Sequence, residues 1–167
     1  MKRTAVMGLL LALALILSYV ESLIPLPIGI PGIKIGLANL AVVLAMYLVG
    51  ERNALLLTIS KAVLSGLLFG NLTVILYNLA GALISFFTMA LMKKSGRFHL
   101  PVISAVGGAM HNTGQLLVAY VIVSTYGIVY YIPFLLIAGL VTGMVIGSVA
   151  VLVLPAVRKG MNGGNRG

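Results

Sequence analysis

Residues 130–154 read YYIPFLLIAGLVTGMVIGSVAVLVL and contain no charged side chain. A transmembrane helix needs about 20 predominantly apolar residues to cross about 30 Å of hydrocarbon, so this stretch is long enough to span a bilayer. The rest of the chain has the same character, since 61% of its 167 residues are hydrophobic and only 8% are charged. A soluble domain carries far more charge than this on its surface. We therefore predict an integral membrane protein.

Five further apolar segments are separated by charged residues, glycine or proline. With the stretch above, the six segments cover about residues 4–24, 34–49, 53–69, 72–92, 101–124 and 130–154. All of them are too long and too unbroken to be strands of a membrane barrel. The pattern predicts an all-α, polytopic fold of six transmembrane helices in one domain, residues 1–159, followed by a flexible basic Gly/Asn-rich tail over residues 160–167.

The basic residues predict the orientation in the membrane. Most of them fall at the start of the chain, after even-numbered segments or at the end, namely Lys2, Arg3, Arg52, Lys93, Lys94, Arg97, Arg158 and Lys159. The positive-inside rule then places both termini in the cytoplasm. The proline-rich loop 25–33 is expected outside as a stiff lid, with Tyr126, Tyr130 and Tyr131 as an aromatic belt. Because the basic residues are scattered, the net charge of +9 does not indicate a nucleic acid partner.

The acidic residues exclude most enzyme classes. Glu21 and Glu51 are the two carboxylates of the chain, there is no aspartate, and the two are expected on opposite sides of the bilayer. Metal-dependent phosphoryl or diphosphate chemistry needs clustered carboxylates to hold hard cations. The chain also lacks cysteine, which excludes thiolate metal sites and disulfides. We expect no catalytic activity, no metal and no cofactor.

Eight polar side chains interrupt the apolar segments and are the candidate substrate-binding residues: Glu21, Lys34, Asn39, Lys61, Asn78, His111, Asn112 and Gln115. A charge near the bilayer centre costs at least ~2.5–3.5 kcal/mol, so each needs a partner, a cavity or a route to the interface. Lys61 could snorkel to the headgroups. However, Thr58, Lys61 and Ser65 form a polar stripe along one face of the third segment, and this stripe favours an inward-facing position for Lys61.

His111 and Gln115 lie one helical turn apart, and two long polar side chains on one face favour a role in ligand binding. Asn112 points about 100° away, and a hydrogen bond that only ties two helices together is an equal alternative for it. With alternating helix directions, Lys61 and His111 form the floor of an outward-facing pocket. Glu21 and Lys34 are expected to pair at its rim.

Small residues recur at the spacing that lets membrane helices approach closely. Gly139, Gly143 and Gly147 form one such stripe, for which we favour packing inside the bundle. Gly8 and Ala12 form another on the first segment. There, internal packing and docking of a second membrane protein are open alternatives.

Two stretches resemble the signatures of a known family. Residues 27–39, PIGIPGIKIGLAN, and residues 107–115, GGAMHNTGQ, are similar to those of the Gx transporter family, whose members are often labelled heptaprenyl diphosphate synthase component I. The resemblance covers about residues 1–159. The family is in turn similar in size and six-helix layout to the substrate-binding S components of energy-coupling factor transporters.

The resemblance implies a substrate-binding subunit of a small-molecule uptake transporter in a bacterial plasma membrane. Such subunits take substrate on the outer face, beneath the loop after the first helix, and dock through small residues of that helix onto a membrane scaffold with ATPases. Gly8 and Ala12 would serve for docking. A pocket with Lys34, Lys61 and His111 would suit an anionic or mixed polar-aromatic molecule. The alternative is a non-catalytic membrane accessory subunit of a prenyl diphosphate, quinone or membrane redox system.

Overall fold

The computed structural model describes residues 2–23, 36–123, 130 and 132–163. Regular structure in these residues is helical throughout, which confirms the all-α prediction. Six helices follow one another along the described chain: α1 Lys2–Leu23, α2 Asn39–Leu48, α3 Glu51–Phe69, α4 Leu72–Ser95, α5 Leu100–Val123 and α6 Ile132–Gly163. The predicted lid, Tyr126 and Tyr131 lie outside the described residues, whereas Tyr130 is exposed.

Four helices in the described part of the chain, α1, α3, α4 and α6, are long and apolar enough to cross a membrane. Helix α2 is apolar but has only 10 residues. Helix α5 has 24 residues and carries the polar run around His111. The structure thus supports a membrane location. That the chain crosses the membrane six times, and that both termini are cytoplasmic, stay predictions.

Two helix boundaries differ from those predicted from the sequence. Helix α2 begins at Asn39, because residues before it form a turn in which the Asn39 N–H donates to the Gly36 carbonyl oxygen at 2.8 Å. Gly36 has a φ of +89°, a left-handed conformation that glycine adopts without strain. Helix α6 passes through Pro155 and ends at Gly163, so residues 160–163 of the predicted tail are helical.

Glycine allows α5 and α6 to pack backbone against backbone. A Cβ atom added at Gly139 would lie 2.6 Å from the Gly108 carbonyl oxygen, and one at Gly147 would lie 2.6 Å from Pro101 Cα. A Cβ at Gly143 would collide with the Ser104 carbonyl oxygen. Because dispersion and close approach hold helices together in lipid, these positions require glycine. This confirms that the Gly139 stripe packs inside the bundle.

Glycine also brings α4 against the polar part of α5. A Cβ at Gly81 would lie 2.7 Å from the His111 carbonyl oxygen, and one at Gly114 would lie 2.7 Å from the Ala80 carbonyl oxygen. The crossing point therefore falls between His111 and Gln115. It fixes both side chains relative to α4.

Cations from two other helices hold the end of α2. Lys93 Nζ donates to the Met46 carbonyl oxygen at 2.8 Å, and Arg158 Nη2 donates to the Tyr47 carbonyl oxygen at 3.2 Å. The last carbonyl groups of a helix have no partner within it, and positive side chains are favourable there. Glu51 balances this cluster, with its carboxylate oxygens 3.8 Å from Lys93 Nζ and 3.4 Å from Lys94 Nζ. Helix α2, which is buried over most of its length, is thus anchored to α4 and α6.

Candidate functional site

Glu21 connects the end of α1 to the start of α2. Its side chain is only 6% exposed. One carboxylate oxygen, Oε1, accepts hydrogen bonds from the backbone N–H groups of Gly36 and Leu37, the second at 2.6 Å. Backbone donors of this kind stabilise an ionised carboxylate where water is excluded. The predicted ion pair with Lys34 cannot be compared with these contacts, because Lys34 lies outside the described residues.

Lys61 reaches from α3 to the first residue of α2. Its Nζ atom donates to Asn39 Oδ1 at 2.8 Å, and the residue is 6% exposed. This is the inward-facing position expected from the polar stripe. Through the turn in which Asn39 bonds to Gly36, the Lys61 ammonium is connected by hydrogen bonds to the Glu21 carboxylate. The buried charges of Glu21 and Lys61 are therefore joined through the backbone at the start of α2.

The rest of the α3 stripe is also buried. Thr58 bonds to its own helix at the Ala54 carbonyl oxygen, 2.7 Å away. Ser65, one turn beyond Lys61, accepts a hydrogen bond from Asn78 Nδ2 of α4 at 3.3 Å. Asn78 thus lies where α3 and α4 meet, beside the candidate site, and its amide links the two helices.

Gln115 is the most unusual polar residue of the cluster. It is 2% exposed, and within the described part of the chain neither its amide nitrogen nor its amide oxygen has a hydrogen-bond partner. Its Cγ atom lies close to Gly81, where an added Cβ would be 3.0 Å away. Buried amides are almost always hydrogen-bonded. A buried donor or acceptor without a hydrogen bond costs about 1–3 kcal/mol. His111, one turn earlier, is 6% exposed on the same face.

Asn112 ties α5 to α6. Its Nδ2 atom donates to the Leu135 carbonyl oxygen at 2.7 Å, and the residue is buried. This hydrogen bond is the interhelical alternative considered for Asn112. It also holds α5 in the rotation that turns His111 and Gln115 toward α4.

Three of the candidate residues, Asn39, His111 and Asn112, line a narrow cavity, whereas Glu21, Lys61, Asn78 and Gln115 are not among its lining residues. Its volume is about 10 Å³, which is room for about one water molecule. Polar side chains from α2, α4, α5 and α6 line it, namely Asn39, Ser85, Ser104, His111, Asn112 and Thr142. Binding pockets for small molecules typically measure about 300–1,000 Å³, so this cavity is too small for such a molecule as the described residues stand.

Sequence reasoning missed Ser85 and Thr142 as lining residues. A single hydroxyl side chain in an apolar helix carries no signal, since it can bond to its own backbone, as Thr142 does to the Ala138 carbonyl oxygen at 2.9 Å. Ser85 is 3% exposed and lies one turn after Gly81 on the face of α4 toward α5. Asn78, Gly81 and Ser85 are three and four positions apart, so they share one face of α4. This spacing was the signal in the sequence that could have identified Ser85.

The two candidate docking residues lie away from this cluster. Gly8 and Ala12 are exposed on α1, and a Cβ added at Gly8 would meet no atom within 4 Å. Gly8 therefore makes no close helix contact in the described structure. This removes the internal-packing alternative for Gly8 and leaves its docking role a prediction.

Comparison with known proteins gives a family match. The family model described as heptaprenyl diphosphate synthase component I matches residues 10–153, which include both predicted signatures. No curated protein and no solved structure shows a significant match. The suspected likeness to transporter S components therefore stays a prediction.

Proposed function

This chain belongs to the heptaprenyl diphosphate synthase component I family, and we propose that it is the substrate-binding membrane subunit of a small-molecule uptake transporter. Its binding site is the buried polar cluster between α2, α3, α4 and α5. Glu21, Asn39, Lys61, Asn78, His111 and Gln115 belong to that cluster, with Asn112 at its margin; Lys34, which lies outside the described residues, is proposed to bind substrate as well. A membrane scaffold with ATPases is the proposed partner, docked at Gly8 and Ala12.

The observation that carries this proposal is the buried, unpartnered amide of Gln115. A residue that only linked helices would form a hydrogen bond from its amide to a neighbouring helix, as Asn112 does with the Leu135 carbonyl oxygen. Gln115 forms no such bond among the described residues. Gln115 instead holds one donor group and one acceptor group available beside His111. Ligand-binding sites accept this cost in the free protein because the ligand supplies the missing hydrogen bonds.

The charges of the cluster favour an anionic or mixed polar-aromatic ligand. Glu21 is bonded to two backbone N–H groups, and Lys61 donates to the amide oxygen of Asn39. Lys61 is the buried cation of the described cluster, and a buried ammonium attracts a carboxylate or phosphate. The low dielectric of the bundle strengthens that attraction.

The decisive experiment identifies the ligand and then removes its contacts. The protein is purified from membranes, the small molecule that co-purifies is identified by mass spectrometry, and its affinity is measured by calorimetry in detergent. Variants in the cluster are expected to weaken binding. Thr88→Val is the matched control, since Thr88 bonds only to its own helix at the Ile84 carbonyl oxygen and does not line the cavity. Normal binding by all cluster variants contradicts the proposal.

A second candidate follows from the family description, which names a component of a synthase. In this alternative the chain is a non-catalytic accessory subunit of a prenyl diphosphate, quinone or membrane redox system. The absence of aspartate supports a non-catalytic role, because prenyl transfer requires carboxylates that hold Mg²⁺ against the diphosphate. Prenyl transfer by the isolated chain in the presence of Mg²⁺ would contradict both candidates. Co-purification with a prenyl transferase and without a small molecule would favour the second.

A further inference from the structure

The narrow cavity between the start of α2 and helices α4, α5 and α6 has the size of one water molecule. Its volume is about 10 Å³, and a cavity needs about 10–15 Å³ to hold a water. Gly107 and Gly143 line it, so the wall is open where α5 and α6 carry no side chain. We refer to it as the central cavity.

The orientation of the Asn39 amide beside the central cavity is fixed by Lys61. An ammonium group can only donate hydrogen bonds, so the Asn39 oxygen, which is 2.8 Å from Lys61 Nζ, must face Lys61 and the amide NH2 must face away. The Nδ2 atom lies on the side of Gly36, 3.2 Å from the position that a Cβ of Gly36 would take. Gly36 and Asn39 both line the cavity, and Nδ2 donates to no other described residue. The start of α2 therefore presents a hydrogen-bond donor on the side of the cavity.

Ser85 and Ser104 add two hydroxyl groups to the cavity wall. The two residues are 3% and 4% exposed, and neither side chain forms a hydrogen bond to another described residue. A hydroxyl in a helix commonly bonds to its own backbone, as Thr88 does to the Ile84 carbonyl oxygen at 2.9 Å. Ser85 Oγ instead faces α5, 3.3 Å from the position of an added Cβ at Gly107. Buried hydroxyls without a partner are unfavourable, so both groups require one.

We infer that the central cavity binds one water molecule, which accepts a hydrogen bond from Asn39 Nδ2 and bonds to the Ser85 and Ser104 hydroxyls. Three polar partners are the usual number for a buried water, whereas a cavity with apolar walls stays dry. Because Asn39 also bonds to Lys61, this water connects the ammonium group on α3 with α4 and α5. The inference does not depend on the proposed transport function.

A sodium ion fits the central cavity less well than a water molecule. Lys61 already places a buried positive charge next to Asn39, and the Nδ2 group of Asn39 is a donor that cannot coordinate a cation. A water molecule accepts from Nδ2 and donates to the serine oxygens. It therefore satisfies all three groups at once.

Melting temperatures of the full-length protein in detergent distinguish a hydrated cavity from a dry one. If the hydroxyls bond to a water, Ser85→Ala and Ser104→Ala should each lower the melting temperature by about 2–4 °C. In a dry cavity the same changes remove a buried hydroxyl that lacks a partner, and the melting temperature rises. Ser148→Ala is the control, because its exposed hydroxyl bonds to the Met144 carbonyl oxygen at 2.9 Å and does not line the cavity. A rise in both cavity variants overturns the inference.

The double variant tests whether the two serines share one water. Because the same water is lost only once, Ser85→Ala combined with Ser104→Ala should lower the melting temperature by less than the sum of the single changes. Fully additive losses would show that the hydroxyls have separate partners and would overturn the shared water. A crystal structure of the full-length protein should show one molecule about 2.7–3.0 Å from both hydroxyl oxygens. Two serines bonded to their own helices, with no molecule between them, contradict the inference.

A change of salt separates water from a cation. The melting temperature is measured in sodium chloride and in choline chloride of the same concentration, and we expect no difference between the two salts. A stabilisation by sodium that disappears in Ser85→Ala and Ser104→Ala would show that the central cavity holds a cation and would overturn the inference.

Discussion

The ammonium group of Lys61 donates to Asn39 at 2.8 Å, so its side chain points into the bundle rather than away from it. Its role can be separated from that of a structural lysine by a variant that keeps the flexible stem and removes the charge. If Lys61 contacts the ligand, removing it strands the charge of the ligand in a site of low dielectric. If it only stabilises the bundle, the effect appears in folding instead.

We expect Lys61→Met to reduce ligand affinity by about 2–5 kcal/mol, the range for stranding the partner of a buried charge. The measurement is calorimetry with the co-purified ligand, beside the melting temperature of each protein. Lys94→Met is the control, because the exposed Lys94 pairs with Glu51 at the surface. Unchanged affinity with a lowered melting temperature would show that Lys61 is structural.

Gln115→Leu is expected to separate stability from binding. The variant removes a buried amide that lacks hydrogen bonds, so we expect the ligand-free protein to gain about 1–3 kcal/mol in unfolding free energy. Ligand affinity should fall by roughly 1–3 kcal/mol, because the ligand loses the same two bonding groups.

The comparison for Gln115 uses Asn112→Leu. Asn112 already bonds to the Leu135 carbonyl oxygen, so this variant should lower the melting temperature. A Gln115→Leu protein that melts early and binds normally contradicts the ligand-binding role of Gln115.

At the scale of elements, the contact of α5 with α6 depends on the missing Cβ atoms. Carbonyl oxygens and Cα atoms of α5 occupy the space in which a side chain at Gly139 would begin. Backbone atoms cannot move aside as the end of a flexible side chain can. A methyl group there must therefore separate the two helices.

We expect Gly139→Ala to destabilise the protein by at least about 3 kcal/mol, at the upper end of the cost of overpacking. Gly8→Ala is the matched control, because Gly8 faces open space within a helix. That change should stabilise by about 0.5–1 kcal/mol through reduced backbone entropy of the unfolded chain. Thermal unfolding in detergent measures both. Equal melting temperatures would show that α5 and α6 are less tightly packed than the structure describes.

Helix existence could be predicted from apolar run length alone, but two boundaries could not. The start of α2 depends on Gly36, whose positive φ is one of several conformations open to glycine in a sequence. The end of α6 lies beyond Pro155, a residue that removes one backbone donor and usually terminates a helix. Among the site residues, Lys61 was predicted to face inward from its polar stripe, but its bond to Asn39 was not predicted. The bond of Asn112 to α6 and the absence of any bond to Gln115 depend on helix rotation, which spacing alone does not determine.

At the scale of the whole molecule, the distribution of basic residues predicts the topology. We expect a cysteine introduced at Ile28 and one introduced at Ser95 to react with a membrane-impermeant reagent from opposite sides of intact cells or inverted vesicles. The chain has no cysteine of its own, so each label reports a single position. Labelling of both positions from one side refutes this topology.

The shortness of α2 has an electrical consequence. The peptide dipoles of a helix sum to about half a positive charge at its first residue, and α2, with 10 residues, is about 15 Å long, half of a hydrocarbon core of about 30 Å. No side chain caps the start of α2 at Ala38, and the carboxylate of Glu21 lies just before it. The negative charge of the Glu21 carboxylate thus balances the positive end of the α2 dipole. If the proposed site binds an anion, Lys61 is the buried cation of the described residues that would attract it.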